Sequence, residues 1–261
     1  MKFYALCFFA LTLSSFSYSQ NFDFTPKGKS CEAKKYEQYT TCYSEEHEQP
    51  YWVAYELTQA ELSIASRDRI SPFIEDNSIS TGSAVHDDYT NTGYDRGHLS
   101  RAEFNKISNV AYRQSYLMSN ISPQIGVNFN RTGGDWYNLE ELEKDIAFGL
   151  DKIYCVSGPI FIDNLEVVGE ENFVTVPGYF YKAMLSPDRT QSIAFVLRHD
   201  AVDVVSLWDA AITIDELEGK TGIDFFGSLD NKIEKVLEGS FDLDYWKNKA
   251  QLGQDQQNQE E

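Results

Sequence analysis

Apolar and polar positions alternate most clearly in "YWVAYEL" (residues 51–57), which predicts a β-strand. Together with the preceding "YTTCYSEEHEQP", the stretch 39–57 reads as two strands around a turn. A helical period takes over in "GGDWYNLEELEKDIAFGL". There Leu139, Leu142, Ile146 and Leu150 recur at three- and four-residue steps and form one buried stripe. From residue 152 the pattern turns to strands again, in "KIYCVSGPIF", "NFVTVPGYFYKAML" and "QSIAFVLRH". A capped helix follows in "TIDELEGKTGIDFFGSL". "SRAEFNKI" begins a short helix, "NVAYRQSYLMSN" is a further apolar segment, and residues 66–93 lack periodicity and read as a long loop. No internal repeat or linker divides the chain, so a single α+β domain is expected.

The two ends are set apart. "MKFYALCFFALTLSSFSYSQ" has a basic start, an apolar run from Phe3 to Leu13 and a polar exit, which reads as a cleavable signal peptide over residues 1–20. The run is about half the length of a membrane span, so no membrane anchor is expected and the mature protein should be secreted or periplasmic. Residues 21–38 are expected to be irregular, 39–247 to be the folded domain, and 248–261 to be a disordered polar tail. In an oxidising compartment a Cys31–Cys42 disulfide is expected, with Cys155 as a buried small hydrophobe.

The chain of 261 residues carries 41 acidic and 22 basic side chains, a formal charge of −19. That balance disfavours indiscriminate adhesion to polyanions. Handling of nucleic acid would therefore need a small local patch of positive charge; Arg69, Arg96, Arg101, Arg131 and Lys144 are candidates. Substrate binding by such a patch should be weak and salt-sensitive.

One histidine has chemically suggestive neighbours. In "TNTGYDRGHLSRAEFN" (90–105), His98 follows Asp95, Arg96 and Gly97. An imidazole can remove a proton from water near neutral pH, a guanidinium fork fits phosphate oxygens, and a glycine allows close backbone approach. Downstream, Asn120, Gln124, Asn128, Asn130 and Glu140 offer oxygen donors of the kind a hydrated Mg2+ accepts. Glu140 and Lys144, four apart on the best helix, share a face away from the leucine stripe. Glu141 and Glu143 read as its solvated acids. His47, His86 and His199 have no comparable neighbours and read as structural or exposed.

The ordered set "YDRGH", "YLMSNISPQ", "FNR" and Trp136 followed by Leu139-Glu140 resembles the DNA/RNA non-specific endonuclease family. These are the ββα-metal (His-Me finger) nucleases of the endonuclease G type, and "HEQPYWVAYELT", "VSGPIF", "VPGYFYKAML" and "IDELEGKTGIDFF" resemble secreted bacterial members. The likeness covers roughly residues 40–230. It implies a central, mostly antiparallel sheet flanked by helices, together with a ββα-metal finger. It also implies Mg2+, with Mn2+ as a substitute, and DNA and RNA as substrates, cut without sequence or sugar specificity to 5′-phosphate and 3′-hydroxyl ends.

The resemblance further implies roles for single residues. His98 would be the general base, Asn130 the direct metal ligand with Asn128 as its rival, and Glu140 a holder of metal-bound water. Arg96 and Asp95 would flank the base, the acid orienting hydrogen bonds, and Asn120 would brace the histidine. Arg69, Lys144 and Arg131 would meet substrate phosphate. The Asn130–Trp136 spacing is two positions longer than the family pattern, and a bulge at Gly133 and Gly134 should absorb the excess. Two other readings remain open: a catalytically silent relative that binds nucleic acid or a protein, and an exported phosphodiesterase for small diesters. An inhibitor partner and the oligomeric state are not legible.

Overall fold

A computed structural model describes residues 22–162, 165–200 and 206–260; the expected signal peptide lies outside the described residues. In chain order, β1 (Glu32–Lys35), β2 (Tyr39–Ser44) and β3 (Gln49–Thr58) lead into a one-turn helix, α1 (Gln59–Leu62). The long loop ends at β4 (Tyr94–His98), and α2 (Asn109–Ser115), β5 (Ile121–Ile125) and α3 (Asp135–Leu150) follow. Then come β6 (Lys152–Ile160), the short pair β7 (Val167–Val168) and β8 (Val174–Thr175), β9 (Tyr179–Leu185), β10 (Ser192–Arg198) and β11 (Ala211–Ile212). Helices α4 (Ile214–Thr221), α5 (Asn231–Glu238) and α6 (Leu243–Glu260) complete the order.

Among the described residues the main sheet separates two apolar cores, and a third, with Phe73, Tyr112, Tyr116 and Ile121, lies beside the β4 strand. A seven-stranded sheet runs β1-β2-β3-β6-β9-β10-β11, and every pairing in it is antiparallel. Val53, Tyr55 and Leu57 of β3 point to one side with Ile153 and Cys155 of β6, where they meet Leu139, Leu142 and Ile146 of α3. Their neighbours Trp52, Ala54, Tyr154 and Val156 point to the other side, against Ile214 and Leu217 of α4 and Leu237 of α5. Both faces are covered, which explains why the strands from residue 152 onward are apolar almost throughout.

A separate antiparallel hairpin stands beside this sheet. β4 pairs with β5 in the register Asp95↔Gln124, Gly97↔Ser122 and His98↔Ile121, and α3 follows after a turn. This strand–strand–helix unit is the expected finger. The disulfide Cys31–Cys42 joins the residue before β1 to β2 with Cα atoms 5.4 Å apart, and Cys155 is a buried free thiol. No helix among the described residues is long and apolar enough to cross a membrane.

Three expectations need correction. Residues 21–38 are not irregular throughout, because β1 forms within them and pairs with β2. Glu143 is not solvated; it is fully buried on the sheet side of α3. The tail beyond 247 is not disordered, since α6 runs to Glu260 and packs along α3. Trp246, Ala250, Gly253 and Gln257 recur at helical steps, but only the first two supply apolar burial. Gly149 and Gly253 let the helices approach so closely that a Cβ on Gly253 would lie 1.8 Å from the Asp145 carbonyl oxygen. The side chains of Gln254 and Gln257 donate to the Asp145 carboxylate at 2.6 and 2.8 Å. Small and polar residues thus do the packing, and a hydrophobicity pattern does not register them. Gly253→Val should force α6 off α3 and lower stability by about 1–3 kcal/mol, read from the urea midpoint. An unchanged midpoint would refute this helix contact.

Candidate active site

His98 ends β4 and is held from several sides. Its ring lies 5.3 Å from that of Phe73 and 5.1 Å from that of Tyr116. The indole N–H of Trp136 donates to its backbone carbonyl at 3.3 Å, tying the first turn of α3 to the strand. Asn120 is fully buried and clamps the next residues. Its side-chain oxygen accepts from Ser100 N–H at 2.9 Å, and its amide donates to the carbonyls of Ser100 and Ser115, each at 2.8 Å. Gly97 leaves the room its neighbour needs: a Cβ there would sit 2.0 Å from the Gln124 side chain, which is itself buried.

Two clefts meet at this strand. The first, about 270 Å³, is lined by His98 with Arg67, Arg101, Glu103, Lys106 and Tyr112. The second, about 620 Å³, is lined by Arg69, Asp95, Arg96, Asn130, Arg131, Thr132 and Tyr137. Arg101 links them, its guanidinium lying 5.0 Å from the centre of the Tyr137 ring. Several guanidinium groups on a strongly acidic chain are therefore gathered at one place.

The polar network assigns a task to each group. Arg131 forms a two-pronged pair with Asp95, both contacts at 2.8 Å, and the Asn130 amide donates to the same carboxylate at 3.2 Å. These bonds, Arg131 first, hold Asp95 below the usual carboxylate range and thus ionised. With its nitrogen anchored there, Asn130 keeps its side-chain oxygen for other partners. Asn128, the rival ligand, sits in the left-handed region at φ 66° and is exposed, while Asn130 is half-buried and lines the larger cleft. Gly134 caps α3 where a Cβ would meet the Phe129 backbone at 2.4 Å, so the longer connection closes tightly on the Asn130 turn.

Glu140 is buried on α3, and its carboxylate lies 3.9 Å from Arg101. Burial pushes it up to about 7, against the pull of Arg101 and Lys182. Arg101 also pairs with Glu141 at 2.5 Å and Glu103 at 2.9 Å. Burial drives His98 down to about 3, with the charges of Arg69 and Arg101 adding to the effect, so its imidazole is neutral at working pH. Its Nε2 is sealed from solvent without a hydrogen-bond partner.

Not every expected residue sits where the sequence reading put it. His98, Arg96, Asp95, Asn130, Arg131 and Arg69 line the clefts; Asn120 and Glu140 lie behind them. Arg96 donates to the His86 carbonyl at 3.0 Å and to the Thr90 hydroxyl at 2.7 Å, so it also braces the loop. Lys144 lines neither cleft and faces Glu141 at 3.7 Å. The sequence reading did not single out Arg67, Lys106, Tyr112 or Tyr137, and gave Arg101 only general charge. Its position three residues after His98 was the available signal. The remaining histidines are structural: Ile125 N–H donates to His199 Nε2, Phe73 N–H to His86 Nδ1, and His47 bonds Thr175.

A hairpin leading into a helix, with a histidine ending one strand and an asparagine in the connecting turn, defines a ββα-type site. The family profile of DNA/RNA non-specific endonucleases matches residues 17–232, and the chain belongs to that family. It is 27% identical over 223 residues to the mitochondrial nuclease of Saccharomyces cerevisiae, covering 77% of this chain and 67% of that protein. It is 31% identical over 215 residues to a nuclease of Syncephalastrum racemosum, covering 74% and 66%. It is 29% identical over 217 residues to the mitochondrial nuclease EXOG of Mus musculus, covering 76% and 58%. The chain thus spans 58–67% of the length of these relatives. Among solved structures, the EndoG/EndoGI complex shares the fold with a TM-score of 0.69 at 24% identity, covering 79% of this chain and 90% of that one.

Two measurements probe this geometry. Gly97→Ala should lower stability by about 1–3 kcal/mol through overpacking against Gln124, seen as a shifted urea midpoint; no shift would mean that the contact yields freely. In the metal-free protein, NMR titration of His98 should give a midpoint near 3, far below 6.5, and Arg69→Gln should raise it. The sign follows from linkage: the unfolded chain takes up a proton that the folded one refuses, so this group costs stability as pH falls from 6.5 towards 3. A midpoint near 6.5 would overturn the burial argument.

Proposed function

We propose that the chain is an exported, metal-dependent endonuclease that hydrolyses DNA and RNA phosphodiester bonds without sequence or sugar specificity. The observation that carries the reading is a neutral His98 lining a cleft with Arg67, Arg101 and Lys106, next to a second cleft lined by Asn130. The pattern of residues 1–20 supports export.

The donors suit a hard cation: Asn130 offers an amide oxygen with its nitrogen anchored by Asp95, and Glu140 stands behind as a carboxylate. Mg2+, or Mn2+ in its place, would be held by Asn130 with Glu140 holding its waters, and would supply charge stabilisation to the phosphate and the leaving oxygen. The neutral His98 imidazole takes the proton as the water attacks phosphorus and the 3′ oxygen leaves. Arg69 and Arg101 provide positive potential at the phosphate; a bound phosphate anion in turn offsets the charges that depress His98. Asp95 stays ionised and orients Asn130 and Arg131. Hydrolysis in this sense leaves 5′-phosphate and 3′-hydroxyl ends. Contacts restricted to the backbone account for loose specificity.

A plasmid-nicking assay tests this. His98→Ala should reduce nicking by about 10²–10⁴-fold, the worth of a general base, in protein shown to be folded by its urea transition. EDTA should abolish nicking, and added NaCl should weaken it steeply. Undiminished activity in His98→Ala would end the mechanism. Binding without any turnover would favour a silent relative, and cleavage confined to a small chromogenic diester would favour a phosphodiesterase.

A further inference from the structure

On the sheet face opposite α3, five carboxylates converge where α4, the turn after it and α5 meet. Asp215, Glu218 and Glu238 bring potential ligand oxygens within 4.8 Å of one another, and Asp224, Glu234 and Glu238 do the same. Glu238 belongs to both sets. It is only 9% exposed, and its Oε1 is sealed from solvent without a hydrogen-bond partner. Among the described residues none of the five forms an ion pair with a lysine or arginine, although Lys220, Lys232 and Lys235 lie on the same two helices.

The surrounding backbone is firmly held. Thr213 and Glu216 form a reciprocal cap at the start of α4, and Gly222 closes the helix in the left-handed conformation. Asp224 exchanges backbone hydrogen bonds with Lys27 at 2.9 and 3.1 Å, and Glu218 accepts from Phe225 N–H at 2.8 Å. The Ser192 hydroxyl of β10 donates to the Leu237 carbonyl at 2.5 Å, fixing the last turn of α5 to the sheet. Carboxylates held this close repel one another unless something positive lies between them. Burial first, and the four acidic neighbours in addition, push Glu238 up to about 8.

We propose that Asp215, Glu218, Asp224, Glu234 and Glu238 form a divalent-cation site, suited to Ca2+ and separate from the nuclease centre. Calcium takes many oxygens in adaptable geometry, including two-oxygen carboxylates, whereas magnesium keeps most of its waters and demands a strict octahedron. A cation bound there staples α4 to α5 and both to the sheet.

The test uses metal-free full-length protein titrated with CaCl2 alone, followed by calorimetry and thermal unfolding. Wild type should bind Ca2+ and rise in Tm. Glu238→Gln should lose that rise, should be at least as stable as wild type in EDTA because a neutral amide sits among the carboxylates without needing a proton, and should keep its nicking activity. Asp224→Asn should weaken Ca2+ binding by about tenfold or more. Asn130→Ala, which removes the proposed nuclease ligand, should keep the Ca2+-dependent rise, so the two sites fail independently. No binding at millimolar Ca2+ would overturn the proposal and leave a proton as the cluster's balancing charge. A rise that persists in Glu238→Gln, or vanishes in Asn130→Ala, would overturn it equally.

Discussion

Beneath the clefts lies an ion pair with no access to water: Lys182 of β9 meets Glu143 of α3 at 2.8 Å, and both side chains are fully buried. The Tyr55 hydroxyl donates to Glu143 at 2.6 Å, and Lys182 donates to Tyr55 and Ser157, each at 3.0 Å. The lysine also sits 4.5 Å from the centre of the Trp136 ring. Removing one member of such a pair costs about 3–5 kcal/mol, because the other is left charged in a dry interior. The pair therefore fixes how α3 is rotated and seated on the sheet. Trp136, one face of whose ring meets Lys182, reaches the His98 carbonyl, and Glu140 lies one turn along beside Arg101. Through α3 this buried contact helps to set both the backbone of His98 and the carboxylate of Glu140.

The electrostatic design works against the chain as a whole. A formal charge of −19 repels polyanions at a distance, yet Arg67, Arg69, Arg96, Arg101, Arg131 and Lys106 all line the paired clefts. Most of these cations are already engaged. Arg131 is committed to Asp95, and Arg101 to three glutamates that hold its charge firmly despite burial. They give direction and local potential rather than a broad attractive surface. The acidic surface elsewhere discourages contact with polyanions.

The sequence made legible whatever obeys a period or a local motif. Strand alternation in 39–57, the leucine stripe of α3 and the order of strands after residue 152 all follow from apolar positions alone. His98, Asp95 and Asn120 were marked by neighbours or by resemblance, and the structure brings them to one place. What escaped notice depends on partners distant in the chain. Glu143 looks like a surface acid until Lys182, on another strand, is beside it. Lys144 shares a helical face with Glu140, but spacing does not say which neighbour it meets, and Glu141 is that neighbour. The α6 stripe of small and amide side chains carries little hydrophobic signal, because its contact with α3 rests on close approach and on bonds to Asp145.

Helix α6 lies beyond the family-matched stretch, yet Trp246 and Ala250 complete the core that also holds Trp136 and Leu139 of α3. While the chain is being synthesised, the sheet and the finger emerge before residues 243–257 do. The face of α3 that α6 covers therefore stays exposed until residues 243–257 have left the ribosome.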